Sequence, residues 1–424
     1  MRRSGAFTLA VVLTLGAVTG GRGQELSSSV TAANGSLDGL VLPSVPENWA
    51  DLPFKLTASQ TVSYDSNIDS FPVGTAPRGT IVGDFTTTTN VGFSTRANVS
   101  GQQLFLDSTF GVIHYLRQAQ FDSTVYSVDA GVDWNVTSRC SGALTASLSK
   151  SPGQLTEQVG TGVNFTTTTA LNETGKCAVS NGYSLLFNTG LTTTTNSDAT
   201  NALNDARTEL ISAGVEYAKG YGALTLLASI SNQNFTGRSA ATAATGLANE
   251  VDFHSFTLNY TRQIDPNLSV TGQIGLVGVT SGFSLGLPKT LLPTYMLSAN
   301  WTFTPKLGLT ASASRSISPP TTTVANAQQS YDAAMNLTYQ LTPKVGLSAG
   351  GSVDYSTSSF TAAETGIAAF LFSSQNTYSL NTGLNYSITP FLSAALNASY
   401  SERVANHLIT PQDIVTVSLN YRPY

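Results

Sequence analysis

With three histidines and two cysteines in 424 residues, the chain holds few groups suited to nucleophilic, acid–base or soft-metal chemistry. His254 and Ser255 are adjacent, and successive side chains of an extended chain point to opposite faces, so they cannot act on each other as base and nucleophile. His114 and His407 fall near a strand end and in a polar stretch. No acid pair, His/Cys cluster or Gly-rich phosphate loop stands beside them, so no catalytic residue, metal or cofactor is implied. The remaining chemistry lies in single charges set among Ser, Thr, Asn and Gly: Arg96, Asp107, Asp129, Asp133, Glu216, Asp332 and Asp354. Fixed charges of that kind can steer ions. They need a scaffold that turns them all one way.

Composition narrows the scaffold. Only 11% of residues are charged, against about 25% in soluble domains, and mean hydropathy is +0.04. Disorder requires high net charge with low hydrophobicity, and nucleic-acid binding requires a basic surface, whereas 20 Lys and Arg face 25 Asp and Glu. Membrane helices need apolar runs of about 18 residues or more. The nearest approach is Ala6 to Val18, which follows Arg2 and Arg3 and precedes Gly20-Gly21-Arg22-Gly23. That is the order of a secretory signal peptide, assigned to residues 1–23 with cleavage falling between Gly20 and Gln24. Residues 24–54, with Pro43, Pro46 and Pro53, read as a periplasmic linker or plug.

From Lys55 to Tyr424 the period is two. In Val125 to Val136 one parity carries Tyr126, Val128, Ala130, Val132, Trp134 and Val136, and the other Ser127, Asp129, Gly131, Asp133 and Asn135. Tyr295 to Phe303 and Tyr378 to Tyr386 repeat the pattern, with aromatics at the ends of the apolar stripes. A soluble sandwich also alternates, but its wet face should carry Lys and Glu. The reading is therefore an all-β transmembrane antiparallel up-and-down barrel spanning 55–424, with one face to lipid and one to water.

Tight connections at Ser100-Gly101-Gln102, Thr137 to Ser141, Ala178 to Gly182, Gly220 to Gly222, Ile264-Asp265-Pro266-Asn267, Thr304-Pro305-Lys306, Leu341-Thr342-Pro343-Lys344 and Thr389-Pro390-Phe391 alternate with longer polar stretches. The last of these stretches is Glu402 to Gln412. This punctuation predicts about 18 strands, short periplasmic turns, long extracellular loops and both termini on the periplasmic side. Within it, Asn300 to Ala311 is echoed by Asn336 to Ala349, each a strand, a Pro turn and a return strand.

These Pro-turn hairpins, the exported N-terminus, the first strand ending Tyr64-Asp65-Ser66-Asn67-Ile68 and the aromatic C-terminus together resemble the outer-membrane β-barrel porins often found beside Gram-negative exopolysaccharide genes. The resemblance covers roughly residues 55–424. It implies an outer-membrane location, contact with membrane lipid, recognition of the C-terminal strand by the barrel-assembly machinery, and a polysaccharide or small hydrophilic solute as cargo. Val415, Val417, Leu419 and Tyr421 keep the lipid-facing parity that such a strand needs, whereas Tyr424 falls on the other.

In this topology Cys140 opens a strand just after a periplasmic turn and Cys177 ends the next strand just before another. Antiparallel neighbours bring those ends together, which predicts a Cys140 to Cys177 disulfide, worth on the order of 3 to 4 kcal/mol. The seven listed charges take the inward parity. They either give a pore a mild acidic excess, favouring cations or neutral solutes over anions, or hydrogen-bond within the wall. Two functions therefore stand side by side: a porin-like, non-enzymatic channel, and a non-conducting structural or adhesive barrel whose loops or N-terminal segment fill the lumen.

Overall fold

The computed structural model describes residues 54–68, 71, 73–76, 82–152, 164–197, 201–220, 222–238, 248–281, 291–318, 327–359, 374–405 and 408–422. The signal peptide and all but the last residue of the linker, together with His407 and Tyr424, lie outside the described residues. Eighteen strands follow one another: β1 (Phe54–Asp65), β2 (Asp84–Val99), β3 (Gln102–Tyr115), β4 (Ser123–Thr137), β5 (Cys140–Pro152), β6 (Phe165–Ser180), β7 (Tyr183–Asn196), β8 (Ala206–Lys219), β9 (Gly222–Phe235), β10 (Glu250–Asp265), β11 (Leu268–Ser281), β12 (Leu291–Thr304), β13 (Leu307–Ser318), β14 (Ala327–Thr342), β15 (Val345–Ser359), β16 (Ser374–Ser387), β17 (Leu392–Ala405) and β18 (Leu408–Tyr421). Each pairs antiparallel with the next, and β1 also pairs with β18, so the sheet closes into a barrel.

Two devices make the tight turns. Ser100 and Gly101 (φ 50° and 81°), like Asn181 and Gly182 (39° and 90°), put two left-handed residues between paired strands, the hairpin geometry whose twist matches the strands it joins. In four of the other turns a Thr hydroxyl holds the chain, and in the Asp265-Pro266-Asn267 turn the Asp265 carboxylate accepts the Asn267 N–H at 2.6 Å. Thr304, Thr342, Thr389 and Thr137 each accept two backbone N–H groups from the residues two and three positions on, at 3.0 to 3.2 Å. In the first three the intervening Pro needs no acceptor and presets φ. The repeated Thr-Pro hairpin of the sequence is thus a self-satisfied turn.

Directly paired residues share a face, so the register sorts the side chains. One face collects Val62, Val112, Ile211, Leu226, Ile274, Leu297 and Leu380. Many of these stay open, with Val112 55%, Leu380 63% and Ile211 70% exposed, as side chains splaying from a convex wall must. This is the outer face. Glycine sets its relief in one place. Trp134, Gly142, Gly175 and Phe187 lie opposite one another on β4 to β7, the two rings leaning over the glycines with centroids 6.3 Å apart. A Cβ on Gly175 would come within 2.1 Å of the Phe187 ring.

Cys140 and Cys177 are directly opposed across β5 and β6 and form the disulfide. Their parity is that of Gly142 and Gly175, which puts the bridge on the outer face at the turn end.

One stretch departs from its sequence reading. Residues Glu402 to Gln412 form no long loop, because β17 runs to Ala405 and β18 begins at Leu408, with those two residues paired. Ser401, Glu402 and Arg403 look like loop composition, yet a barrel rim is wet on both faces and polar residues there can continue a strand.

The seam between first and last strands is clasped by the Asp65-Ser66-Asn67 run. Gln412 donates to Asp65 at 2.7 Å. Ser66 N–H donates to the Asp413 carbonyl at 2.9 Å, and Asp413 N–H returns the bond to the Ser66 hydroxyl at 2.7 Å. The buried Asn67 amide donates to the Phe71 and Pro411 carbonyls, both at 2.9 Å, and accepts from Phe71 N–H at 3.0 Å. Replacing Asn67 by Ala orphans two buried backbone groups of Phe71 and the part-buried Pro411 carbonyl. It should cost roughly 1 to 3 kcal/mol and raise amide exchange selectively in β1 and β18. Exchange spread evenly round the ring would refute the clasp.

Candidate functional site along the inner face

The other parity carries Ser, Thr, Asn and Gly, and the sparse charges with them. Arg96, Asp107, Asp129, Asp133, Glu216, Asp332 and Asp354 all lie on this inner face by register. Asp107 is opposite Ser94 and Asp129, Asp133 opposite Gln103 and Ala143, Glu216 opposite Ser184 and Thr225, and Asp332 opposite Ser314 and Asp354.

They form three groups. On β2 to β4, Arg96 grips Asp107 through both guanidinium nitrogens at 3.0 and 2.6 Å and lies 5.1 Å from the Phe105 ring centre. Asp129 stands directly across from Asp107 and accepts from the Ser127 hydroxyl at 3.2 Å. On β6 to β8, Lys176 reaches past β7 to Glu216. On β14 and β15, Asp332 and Asp354 face each other, with the Ser314 hydroxyl donating to Asp332 at 3.1 Å.

Lys176, Arg403 and Lys55 were not among the residues picked out from the sequence, although the same parity count finds them. Lys55 opposes Ser94 on β2. Arg403 shares a row with Asp354, one position beyond Thr377. Arg96 and Lys176 neutralise Asp107 and Glu216, so the inner acidic excess is smaller than the sequence list suggested. It now resides in Asp129, Asp133, Asp332 and Asp354, none of which joins an ion pair among the described residues.

Each of these two carboxylate pairs, Asp107 with Asp129 and Asp332 with Asp354, has an arginine on its flank. Like charges directly across a ladder repel, and a third such opposition, Asp65 with Asp84, stands at the loop end of β1 and β2. The arrangement sets fixed negative charge, edged with positive, on the inner face of the ring.

Histidines do not extend this site. His254 pairs with Ile230 and Ser255 with Ser229, on opposite faces. His114 sits on the outer parity and bonds Asp122 at 2.6 Å. The Tyr115 N–H, 2.7 Å from the other oxygen, together with that ring, holds the Asp122 carboxyl below its usual range. Asp84 does parallel work within the β3 to β4 connection, accepting from the Arg117 and Gln118 N–H groups at 2.9 and 2.8 Å. Among the described residues no group of three His, Cys, Asp or Glu converges on a metal-sized site.

No family model matches the chain and no curated protein does. Solved structures similar to it include the outer membrane protein opdK from Pseudomonas aeruginosa, at 11% identity and TM-score 0.46, covering 87% of this chain and 98% of that one. OprD from the same organism is 10% identical with TM-score 0.48, covering 87% and 95%. The siderophore receptor PirA, also from Pseudomonas aeruginosa, is 13% identical with TM-score 0.42, covering 87% and 80%. At these values the likenesses transfer no activity, and the barrel rests on its own register.

Asp354→Asn removes one of the two facing carboxylates and should stabilise the barrel by up to about 1 kcal/mol, read as a higher urea midpoint. An unchanged or lower midpoint would show that the pair carries no repulsion.

Proposed function

We propose that the chain is an outer-membrane porin-like channel for passive diffusion or export of hydrophilic solutes. The observation that carries this is the closed 18-strand ring whose outer wall is apolar and whose inner wall is small, polar and charge-bearing. A ring of 16 to 18 strands leaves an aqueous interior unless something fills it. An open sheet edge could not persist in lipid, and closure removes it.

Solute preference follows from the uncompensated acids. In a narrow low-dielectric pore their field is focused, and cations are favoured over anions. Export of a polysaccharide is the finer reading; it rests on the resemblance of the Pro-turn hairpins and the Asp65-Ser66-Asn67 run to porins encoded near exopolysaccharide genes. Recognition of β18 by the assembly machinery draws support from Val415, Val417, Leu419 and Tyr421, all on the outer parity. The competing reading, a non-conducting structural or adhesive barrel, requires a segment to occupy the lumen.

Planar-bilayer recording of the refolded full chain tests the proposal. Stable conductance steps with cation preference are expected, and Asp129→Asn with Asp133→Asn should move the reversal potential toward zero. A folded, inserted barrel that never conducts would favour the filled lumen instead.

A second test addresses the lipid itself. Glu173 interrupts the outer stripe between Leu144 and Thr189, an acid on the apolar wall. Glu173→Leu should stabilise the barrel in phosphatidylcholine vesicles by roughly 1 to 2 kcal/mol, because an acid facing hydrocarbon is costly. A loss of stability there would argue that this wall does not face lipid.

A further inference from the structure

At the turn end, six basic residues, Arg139, Lys219, Arg262, Lys306, Lys344 and Arg422, stand in or within three residues of the short turns or the C-terminus of β18. Two of them differ from the rest by lying on strands, on the outer face, around a gap. Lys219 and Arg262 are both paired with Gly222, one on each side. One step further up the wall, Leu224 is flanked by Tyr217 and Tyr260 in the same way. Together these six residues line a shallow groove of about 260 Å³.

The groove is built by omission. Gly222 has no left-handed φ, and an added Cβ would meet nothing nearer than 3.2 Å, so the strand does not demand glycine. Its missing side chain is what leaves room between the two cations. Their backbones lie about 9 to 10 Å apart, two strand spacings, so long side chains from both sides can meet over one oxyanion. Neither cation joins an ion pair among the described residues. Tyr183, ring to ring with Tyr217 at 4.7 Å, extends the aromatic wall on one side. Further up the wall, beyond the groove, the outer positions of β8 to β10 are Val215, Leu226 and Leu258, with no acid among them.

We infer that this groove binds the phosphate of an anionic phospholipid in the leaflet at the turn end, with Lys219 and Arg262 on the phosphodiester and an acyl chain over Leu224. The inference rests on the reading of the outer wall as lipid-facing. Charge complementarity selects the occupant, because two cations at the edge of an apolar wall match a phosphate joined to hydrocarbon. Inorganic phosphate matches the two cations only. The tyrosine hydroxyls stand where the ester region of such a lipid would lie, the usual level of aromatic anchors.

The test inserts the full-length protein into phosphatidylcholine nanodiscs with and without phosphatidylglycerol and counts retained lipids by native mass spectrometry. One or more phosphatidylglycerol molecules should stay bound to the unmodified barrel. Lys219→Gln with Arg262→Gln should weaken retention roughly tenfold or more, as two neutralised surface cations imply. Gly222→Leu, which keeps both charges and fills the gap, should do the same. Lys306→Gln with Lys344→Gln, outside the groove, should change little, and millimolar inorganic phosphate should not displace the lipid. Retention unaffected by the first two variants, or lost equally with the turn lysines, overturns the site. Failure of the unmodified barrel to insert into either nanodisc overturns the membrane reading along with it, whereas insertion without lipid preference overturns the site alone.

Discussion

The seam between β1 and β18 is the constraint on which the rest of this structure depends. A sheet of 18 strands with two free edges would expose a row of unpaired N–H and C=O groups at each, open to aggregation in water and prohibitive in hydrocarbon. Pairing Ala58 through Asp65 with Ile414 through Tyr421 removes both edges at once. It also joins the two most distant parts of the chain, so the entropy of a very long loop is spent on a single strand pair. The side-chain clasp of Asp65, Ser66 and Asn67 on Pro411, Gln412 and Asp413 reinforces the pair that has no tight hairpin to hold its register.

Closure then gives each strand residue one of two environments and no third. Among the described residues there is no packed interior of the globular kind. The buried hydrophobic residues that do cluster, among them Phe235, Val251 and Phe253, gather near the loop end, and elsewhere the apolar side chains face outward. Stability must come from the ladder and from side chains lying flat along the wall. Glycine makes that possible where large groups meet. On the outer face Trp134 and Phe187 lean over Gly142 and Gly175. On the inner face Asn336 and Asn381 converge on Gly350, whose Cβ would sit within 3.0 Å of both side chains.

The two rims are chemically unlike. The short turns carry Arg139, Lys306 and Lys344, while the opposite end carries acids that organise the connections: Asp84 and Asp122 between β3 and β4, and Asp205, whose carboxylate accepts from the Asn196 backbone and side chain. An acid accepts several backbone N–H groups at once and can shape a longer connection. Most of the short turns need only a Thr hydroxyl or a left-handed pair, the Asp265 carboxylate serving in one, and their long cationic side chains can reach outward.

Strand number, face assignment, turn positions and the disulfide were all legible in the sequence, because each depends on a local rule. Side chains alternate with period two, tight turns require Gly, Asn or Pro at fixed offsets, and neighbouring antiparallel strands bring known ends together. The same parity puts Arg96, Asp107, Asp129, Asp133, Glu216, Asp332 and Asp354 on one face. What it could not supply was partnership. That Lys176 cancels Glu216 across an intervening strand, that Asp332 meets Asp354, and that Lys219 and Arg262 flank one glycine depend on register between strands. Register is set by turn geometry and by the bulges at Asn135, Ala178, Gln263, Thr302 and Gln340, where one extra residue shifts every pairing above it. The polar stretch at Glu402 to Gln412 was misread for a related reason: composition reports whether a residue meets water, and at the rim of a closed barrel water bathes strand and loop alike. Alternation along a strand belongs to the sequence alone, but which charge neutralises which is decided only when the ring closes and locks the strands side by side.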